Sequence, residues 1–263
     1  MPIIKINGVI LRHANYKDND RMLTILTHEH GLISARARGC RKIKGKLRPL
    51  AEDFVFSAME IYFGKGRYSI NSGYIHDSFY DLREDLDKLS CAYYIRDLCI
   101  ATMEEQAPHI DIFTLVIKCL SLMAHEDVSP LLIKRTFEVK LMSAVGFKPE
   151  LMAGVECGVK PQKDQWFSKS SGGIVCRKCL SNHEDTVKVL AGMTATLRLM
   201  EKTDIDSIHI LKIGKTIEQE LARVWDPFVV WHVDKRFSTS DFANKVNSFY
   251  GAVSQSLKKH EKS

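Results

Sequence analysis

A dense run of basic residues stands between Arg36 and Arg48, where the sequence reads RARGCRKIKGKLR. Seven of these thirteen positions are Lys or Arg, and none is acidic. Such a run repels itself unless an anion lies against it, so it favours a polyanionic partner such as the phosphate backbone of a nucleic acid. The alternative is a solvated loop whose charges only keep the protein in solution. Nothing in the run specifies a base sequence, so phosphate contacts should dominate there.

The basic excess of the chain lies entirely in its first third. Residues 1–76 contain 13 Lys or Arg and 6 Asp or Glu, a net charge of +7. Residues 77–263 contain 25 and 26, a net charge of −1. We therefore expect the nucleic-acid-binding surface in the N-terminal part of the chain.

Cys176 and Cys179 have the Cys-x-x-Cys spacing of half a tetrahedral zinc site, and Cys157 offers a third thiolate. A second Cys-x-x-Cys pair would need a cysteine at position 154, which is Gly154. Candidates for the fourth ligand are His183 and Glu156. The alternative is a segment that has lost its metal and keeps its shape by packing. Either way we predict a structural site, holding at most one zinc ion, because nothing indicates an open coordination position at a substrate cleft.

Several enzyme classes are excluded by the motifs that the chain lacks. It has no Gly-x-Ser-x-Gly elbow and no His-Glu-x-x-His zinc helix. A phosphate loop over residues 39–46 also fails, because five residues separate Gly39 from Gly45 and Leu47 stands where a hydroxyl must bind Mg²⁺. We therefore predict no nucleotide cofactor and no enzymatic activity. The absence of a signal-peptide pattern and of a long apolar stretch predicts a cytoplasmic protein without a membrane partner.

Two kinds of periodicity divide the chain. Residues 3–12, 21–27, 31–38, 54–63 and 67–75 have strand patterns, with a bulge expected at Asn7-Gly8, and five short strands favour a small OB-like barrel. Aromatic side chains on the predicted last hairpin could stack on bases, although such residues more often fill a barrel core. These are Tyr62, Phe63 and Tyr68.

Helical spacing follows the strands. Predicted helices cover residues 82–93, 112–124, 131–145, 186–200, 214–231 and 241–257. The fold class is therefore α+β, with a five-stranded OB-like barrel followed by a helical domain that carries a zinc-ribbon-like insertion. The predicted domains are 1–77 for the barrel, 78–149 and 184–263 for the helical body, and 150–183 for the insertion.

The order of these parts resembles the RecO family of bacterial recombination mediators. The family's Gly-Val-x-Leu strand, Asp-Arg-x-Leu-Thr strand and His-Gly-x-x-Ala-x-Gly-Ala-Arg segment correspond to residues 8–11, 20–24 and 30–41. The later stretch FEVKLMSAVGFKPEL and the cysteine segment after it are also similar to RecO, whose helical body carries a zinc-finger insertion. The departure is Gly154, where zinc-binding members have their first cysteine.

The resemblance implies a mediator of recombinational DNA repair. Such a protein binds single- and double-stranded DNA, anneals complementary strands, and acts with RecR to load RecA onto DNA coated by the single-stranded-DNA-binding protein (SSB) in the RecF pathway. It would be associated with the nucleoid. The predicted DNA-binding residues are Arg36, Arg38, Arg41, Lys42, Lys44, Lys46 and Arg48, with Arg12 and Arg21 as weaker candidates.

The family also contacts the acidic, phenylalanine-ended tail of SSB, which requires an apolar pocket with a cationic rim. Lys134, Arg135 and Lys140 are candidate rim residues, and an ordinary helix surface is the alternative. A different functional class, a generic OB-fold module that binds RNA or the ribosome, would share the basic barrel. It would have no effect on SSB-coated DNA.

Overall fold

Five strands close into a barrel at the start of the chain, in the order β1-β2-β3-β5-β4. They are β1 (Ile3–Tyr16), β2 (Asp20–Thr27), β3 (Gly31–Ala37), β4 (Phe56–Gly64) and β5 (Arg67–Asp77). The structure, a computed structural model, describes residues 3–64, 66–161 and 164–237. Neighbouring strands are antiparallel except β3 and β5, which pair in parallel over only two residue pairs, Ala35 with Tyr68 and Arg36 with Ser69. The predicted five-stranded barrel is confirmed.

Alternate residues of these strands fill the barrel, because successive side chains of a strand point to opposite faces. Ile33, Ala35 and Ala37 of β3 are buried in this core, while Ser34 is exposed and Arg36 is half-buried. The predicted bulge at Asn7-Gly8 is wrong, since the register of β1 against β2 shifts between Ile10 and Arg12 instead. Asn7 and Gly8 pair regularly with β4. Lys65, in the predicted β4–β5 turn, lies outside the described residues.

The chain divides into two compact units, Met1–Asp127 and Val128–Ser263. The first unit adds α1 (Leu86–Thr102) and α2 (Ile110–His125) to the barrel. The helix α1 begins at Leu86 rather than at the predicted Leu82. Asp85 caps its start, because its side chain accepts hydrogen bonds from the first free N–H groups of the helix. Leu82 is buried in a preceding 3₁₀ turn, and Leu86 is 74% exposed rather than buried with it. The three-part division at residues 77, 149 and 183 remains a prediction.

The second unit combines helices with a small sheet. It contains α3 (Pro130–Ala144), β6 (Gln165–Ser168), β7 (Gly173–Val175), β8 (Thr186–Val189), α4 (Ala191–Lys202) and α5 (Lys215–Phe237). The predicted helix over 186–200 is wrong at its start, because the alternating, β-branched run Thr-Val-Lys-Val pairs with β6. The predicted helix over 241–257 lies outside the described residues.

Aromatic stacking joins the sheet of the second unit to α5. Trp225 and Phe228 stack at 4.8 Å between ring centroids, and Phe167 of β6 meets Phe228 edge-on at 5.5 Å. All three side chains are buried. Among the residues that the structure describes, no helix combines the length and the apolar character needed to cross a bilayer.

Candidate nucleic-acid interface

The segment after β3, residues 38–48, forms a compact platform that we call the basic loop. Its backbone folds into successive turns, in which the N–H groups of Lys42, Gly45 and Arg48 donate to the carbonyl three residues earlier at 2.9–3.2 Å. A Cβ on Gly45 would stand 2.4 Å from the carbonyl oxygen of Gly39, so the loop closes this tightly only with glycine there. Cys40 and Leu47 are buried in the barrel core. They anchor the loop at two points.

Asp20, buried at the start of β2, holds the base of the loop. Its Oδ1 accepts the Gly39 N–H at 2.7 Å, and its Oδ2 accepts the Arg36 Nε–H at 2.7 Å. These two hydrogen bonds, first that from Gly39 and then that from Arg36, hold the pKa of Asp20 below its ordinary value. The Arg36 guanidinium also lies over the Tyr16 ring, 5.3 Å from its centroid. Arg36, predicted to bind DNA, is therefore committed to positioning the loop.

Two other predicted DNA-binding arginines are also engaged with the protein. Arg41 donates to the carbonyls of Asp18 at 3.1 Å and Lys17 at 3.4 Å. Arg21 donates to the Ala51 carbonyl at 2.7 Å and to Glu52 at 2.8 Å. Arg12 is exposed on β1, opposite Thr24 of β2.

The remaining cations of the basic loop are exposed, as Arg41 is. No carboxylate in residues 3–64, 66–161 or 164–237 forms an ion pair with any of them. A cluster of like charges that lacks internal counter-ions has the electrostatic character of a phosphate-binding surface. These residues are Arg38, Lys42, Lys44, Lys46 and Arg48.

A cavity of about 500 Å³ opens beside the basic loop. Its lining comes from two places, the loop and the β4–β5 hairpin: Arg38, Lys46, Leu47, Tyr62, Ser69, Ile70 and Asn71. Tyr62 thus lines a cavity, whereas Phe63 and Tyr68 pair with each other at 4.7 Å and Tyr68 packs against the barrel core. Ser69 and Asn71 were not predicted, because two polar residues in a strand give no signal of a shared cavity.

The predicted cysteine cluster also assembles. The Sγ atoms of Cys157 and Cys176 are 3.5 Å apart and those of Cys176 and Cys179 are 3.3 Å apart. All three lie within 4.8 Å of one another, so they could hold a metal ion. Their mutual hydrogen bonds, first that with Cys179, lower the pKa of Cys176 and raise that of Cys179 to about 12. A Cβ on Gly154 would stand 2.9 Å from Cys157 Sγ. Position 154 therefore lies against the Cys157 sulfur.

The two predicted candidates for the fourth ligand are His183 and Glu156. Among the residues that the structure describes, neither of them is part of this group of three thiols. His183 uses both ring nitrogens elsewhere, Nδ1 with Ser171 Oγ at 2.9 Å and Nε2 with Glu156 at 3.2 Å. Glu156 accepts from Asn182 at 2.6 Å, and its carboxylate also takes a hydrogen bond from Cys179. The residues present therefore fit three of the four corners of a tetrahedral zinc site, with Glu156 adjacent to one of them.

The predicted rim of a tail-binding pocket on α3 needs correction. Lys134 is 0% exposed and Arg135 is 1% exposed. Lys134 Nζ pairs with Glu138 at 3.0 Å, while Arg135 bonds Glu218 at 3.0 Å and forms a bidentate pair with Asp226. Two buried cations cannot rim a surface pocket. Lys140 donates to the Glu201 carbonyl at 2.9 Å.

Comparison with known proteins covers nearly the whole chain. The family model described as "Recombination protein O N terminal" matches residues 1–79, and that described as "Recombination protein O C terminal" matches residues 83–241. A protein named "DNA repair protein RecO" from Alkaliphilus metalliredigens is 31% identical over 93% of this chain and 100% of its own length. The proteins of that name from Acetivibrio thermocellus and Bacillus pumilus are each 28% identical. These two matches cover 92% and 94% of this chain, and 96% and 95% of the relatives.

Proposed function

This chain belongs to the RecO family of DNA repair proteins, and from that premise we propose that it is a non-enzymatic mediator of recombinational repair. In this proposal it binds single- and double-stranded DNA and anneals complementary strands. With RecR it helps to load RecA onto single strands coated by SSB, in the RecF pathway. The family match carries the role in DNA repair and recombination, and the remaining steps rest on the site.

The observation that supports DNA binding most strongly is the set of exposed cations on the anchored basic loop, five of which have no side-chain hydrogen-bond or ion-pair partner among the described residues. Two DNA strands repel each other through their phosphates, and a rigid cationic surface lowers that repulsion when both backbones lie against it. Annealing by this route draws on charge neutralisation alone. It therefore needs no nucleotide.

The decisive experiment measures annealing of complementary strands that are pre-coated with SSB, in the absence of nucleotide. The test variant replaces Arg38, Lys42, Lys44 and Lys46 by Ala, since none of these four cations forms an ion pair or a side-chain hydrogen bond within the described residues. The intact protein should accelerate annealing and the variant should not. A charge-matched control replaces the exposed Lys5, Lys160, Lys202 and Lys212 by Ala and should retain activity.

Two outcomes would contradict the proposal. Equal activity of the test and control variants would place DNA binding elsewhere. Binding to bare DNA without any annealing of coated strands would instead favour a generic OB-fold module for RNA or the ribosome.

We still propose that the protein binds the SSB tail, but with fewer candidate residues. Lys134 and Arg135 are excluded as rim residues by their burial, which leaves Lys140 alone of the three. Direct binding of an acidic peptide ending in phenylalanine, compared between the wild type and Lys140→Ala, tests this remaining candidate. Unchanged affinity would place the tail on another surface.

We further propose one structural zinc ion, held by Cys157, Cys176 and Cys179, with the Glu156 carboxylate as its fourth ligand. A zinc ion there would cross-link the segment around Glu156 to the segment around Cys176. Such a cross-link would stabilise the fold, because structural zinc sites contribute folding free energy directly. The hydrogen bond between Glu156 and His183 would orient the carboxylate.

Elemental analysis of the purified protein tests the zinc proposal, with one zinc per chain expected. Cys176→Ala should lose the metal and lower the stability of the second unit by several kcal/mol, on the order expected for loss of a structural metal. Glu156→Ala should weaken metal retention against a chelator. A metal-free wild type whose thermal stability matches that of Cys176→Ala would leave the segment held by packing alone.

A further inference from the structure

The cavity beside the basic loop combines dimensions and lining that suit one nucleotide. Its volume of about 500 Å³ lies within the range of small-molecule sites. Leu47 and Ile70 give it an apolar floor that belongs to the barrel core. Cations, an aromatic ring and hydrogen-bonding side chains meet around that floor. This mixture matches the phosphate, the flat face and the polar edge of a nucleotide.

Tyr62 supplies the aromatic wall, and the strand fixes its ring. Tyr62 and Gly64 lie on the same face of β4, because they are two residues apart. A Cβ on Gly64 would stand 2.5 Å from Cε1 of the Tyr62 ring. Glycine at position 64 therefore leaves the space into which this ring leans, beside the turn that leads to β5.

Asn71 is turned towards the cavity by an irregularity in the sheet. Glu60 pairs with Ser72 and Ile61 pairs with Ile70, so Asn71 is an extra residue in β5. Extra residues of this kind re-aim a side chain and recur beside functional sites. Ser69, opposite Tyr62 in the same strand pair, adds a hydroxyl to the lining. Ser69 Oγ donates to the Arg36 carbonyl at 3.4 Å and Asn71 Nδ2 donates to Glu60 at 3.5 Å. The hydroxyl oxygen, the amide oxygen and the second amide N–H stay available to the edge of a base.

Arg38 and Lys46 complete the lining from the loop side, and both belong to the set of cations without an ion-pair partner among the described residues. They can bind the phosphates on either side of a nucleotide. Glu60 disfavours the alternative of an acidic peptide. Its carboxylate lies 3.5 Å from Asn71 Nδ2 and accepts a second hydrogen bond from Ser72, so a peptide carboxylate would meet negative charge there.

Building on the proposed DNA-binding function, we propose that this cavity is a base pocket for single-stranded DNA. One unstacked base lies against Tyr62 with its edge towards Ser69 and Asn71, while Arg38 and Lys46 bind the flanking phosphates. A base inside a duplex is stacked on both faces and cannot enter without being flipped out. The pocket therefore selects single strands, whereas the rest of the basic loop binds either form of DNA.

The test compares three probes of equal length: a labelled thymidine oligonucleotide, the same phosphate chain with abasic spacers, and a duplex. Tyr62→Ala should lower affinity for the thymidine strand roughly tenfold or more, as loss of base stacking does in other single-strand sites. Affinity for the abasic chain and for the duplex should change less than about twofold, since neither places a base on the ring. Asn71→Ala should show the same pattern with a smaller loss.

Two matched variants separate stacking from folding. Tyr62→Phe keeps the ring and should bind the thymidine strand like the wild type. Tyr74→Ala removes an exposed tyrosine from β5 outside the cavity and should leave all three affinities unchanged.

Equal losses on all three probes, or none on any, would overturn the base pocket. Loss of binding to an acidic peptide ending in phenylalanine, with DNA affinity intact, would overturn it in favour of a peptide site. The proposed DNA-binding function fails separately, if the wild type binds none of the three probes. The basic loop fails as the DNA-binding site if removing Arg38, Lys42, Lys44 and Lys46 together leaves binding to every probe unchanged.

Discussion

Two cation-rich segments of this chain have opposite surroundings. In the basic loop, six exposed cations lack an ion-pair partner among the described residues, and one of them, Arg41, bonds two backbone carbonyls. In α3, Lys134 and Arg135 are buried among Glu138, Glu218 and Asp226. Both segments carry Lys and Arg, but only in the basic loop are these side chains exposed. The difference shows that the distribution of acids, rather than the density of cations, distinguishes a binding surface from an internal network.

The buried network depends on its full set of partners. Burial opposes the charged state of both signs, so it lowers the pKa of Lys134 and raises that of Asp226. Glu138 lies four residues after Lys134 and three after Arg135, which places all three side chains on one helical face. An intact buried ion network contributes little net stability, whereas removal of one partner leaves a buried charge uncompensated.

The largest expected effect follows from breaking that network. Asp226→Ala leaves Arg135 without its bidentate partner and should lower the free energy of unfolding by about 3–5 kcal/mol. All three tryptophans, Trp166, Trp225 and Trp231, lie in the second unit, so tryptophan fluorescence during urea unfolding reports that unit. Glu184→Ala, at an exposed acid of the same unit, serves as the control and should change stability by less than about 0.5 kcal/mol. A similar small change in Asp226→Ala would contradict the contrast between the two segments.

The basic loop should respond to substitution in the opposite way. Replacing Arg38, Lys42, Lys44 and Lys46 by Ala should flatten the slope of log affinity for single-stranded DNA against log salt by up to about three units. The free energy of unfolding should stay within about 0.5 kcal/mol of wild type, because these four side chains form no ion pair in the part of the chain that the structure describes. Fluorescence anisotropy at several salt concentrations measures the first quantity and urea unfolding the second. An unchanged slope would show that these cations are only solvated.

The same contrast, between a cation bonded to an internal acid and an exposed cation, exists between Arg36 and Arg38, which are two residues apart. Arg36→Ala removes the guanidinium that bonds buried Asp20 and should lower stability by about 1–2 kcal/mol. Arg38→Ala should leave stability unchanged and should lower DNA affinity. Far-UV circular dichroism on heating, paired with DNA titrations, distinguishes the two roles. Equal effects of both variants on stability would mean that the hydrogen bonds of Asp20 do not hold the loop.

The smallest expected effect is a pH dependence of the barrel. The folded-state pKa of Asp20 is lowered, so its contribution to stability is present above the unfolded-state pKa of about 3.9 and is lost as pH falls through the folded-state value. Unfolding measured at pH values from 5 downwards should therefore show a loss that Asp20→Asn lacks. Parallel curves for the two proteins would assign the acid sensitivity to other carboxylates.

Local patterns predicted the elements better than the roles of the arginines. Alternation identified β3, and the cysteine spacing correctly brought Cys157, Cys176 and Cys179 together. The structural roles of Arg21, Arg36 and Arg41 depend on partners 16 to 31 residues away, which no local spacing encodes. For the same reason the sequence offered Lys134 as a rim residue of a surface pocket, although the charges around it come partly from Asp226 of α5.

Cys40 makes the anchoring of the basic loop accessible to kinetics. Its thiol lies in the barrel core beneath the loop, and burial raises its pKa, so it reacts with an alkylating reagent only while the loop is lifted. The rate at which Cys40 is labelled therefore counts opening events of the loop on the timescale of the reagent. Bound DNA should lower the labelling rate of Cys40 without contacting its sulfur. The labelling rate of a thiol inside the barrel thus measures how stably the basic loop is closed on the outside of the barrel.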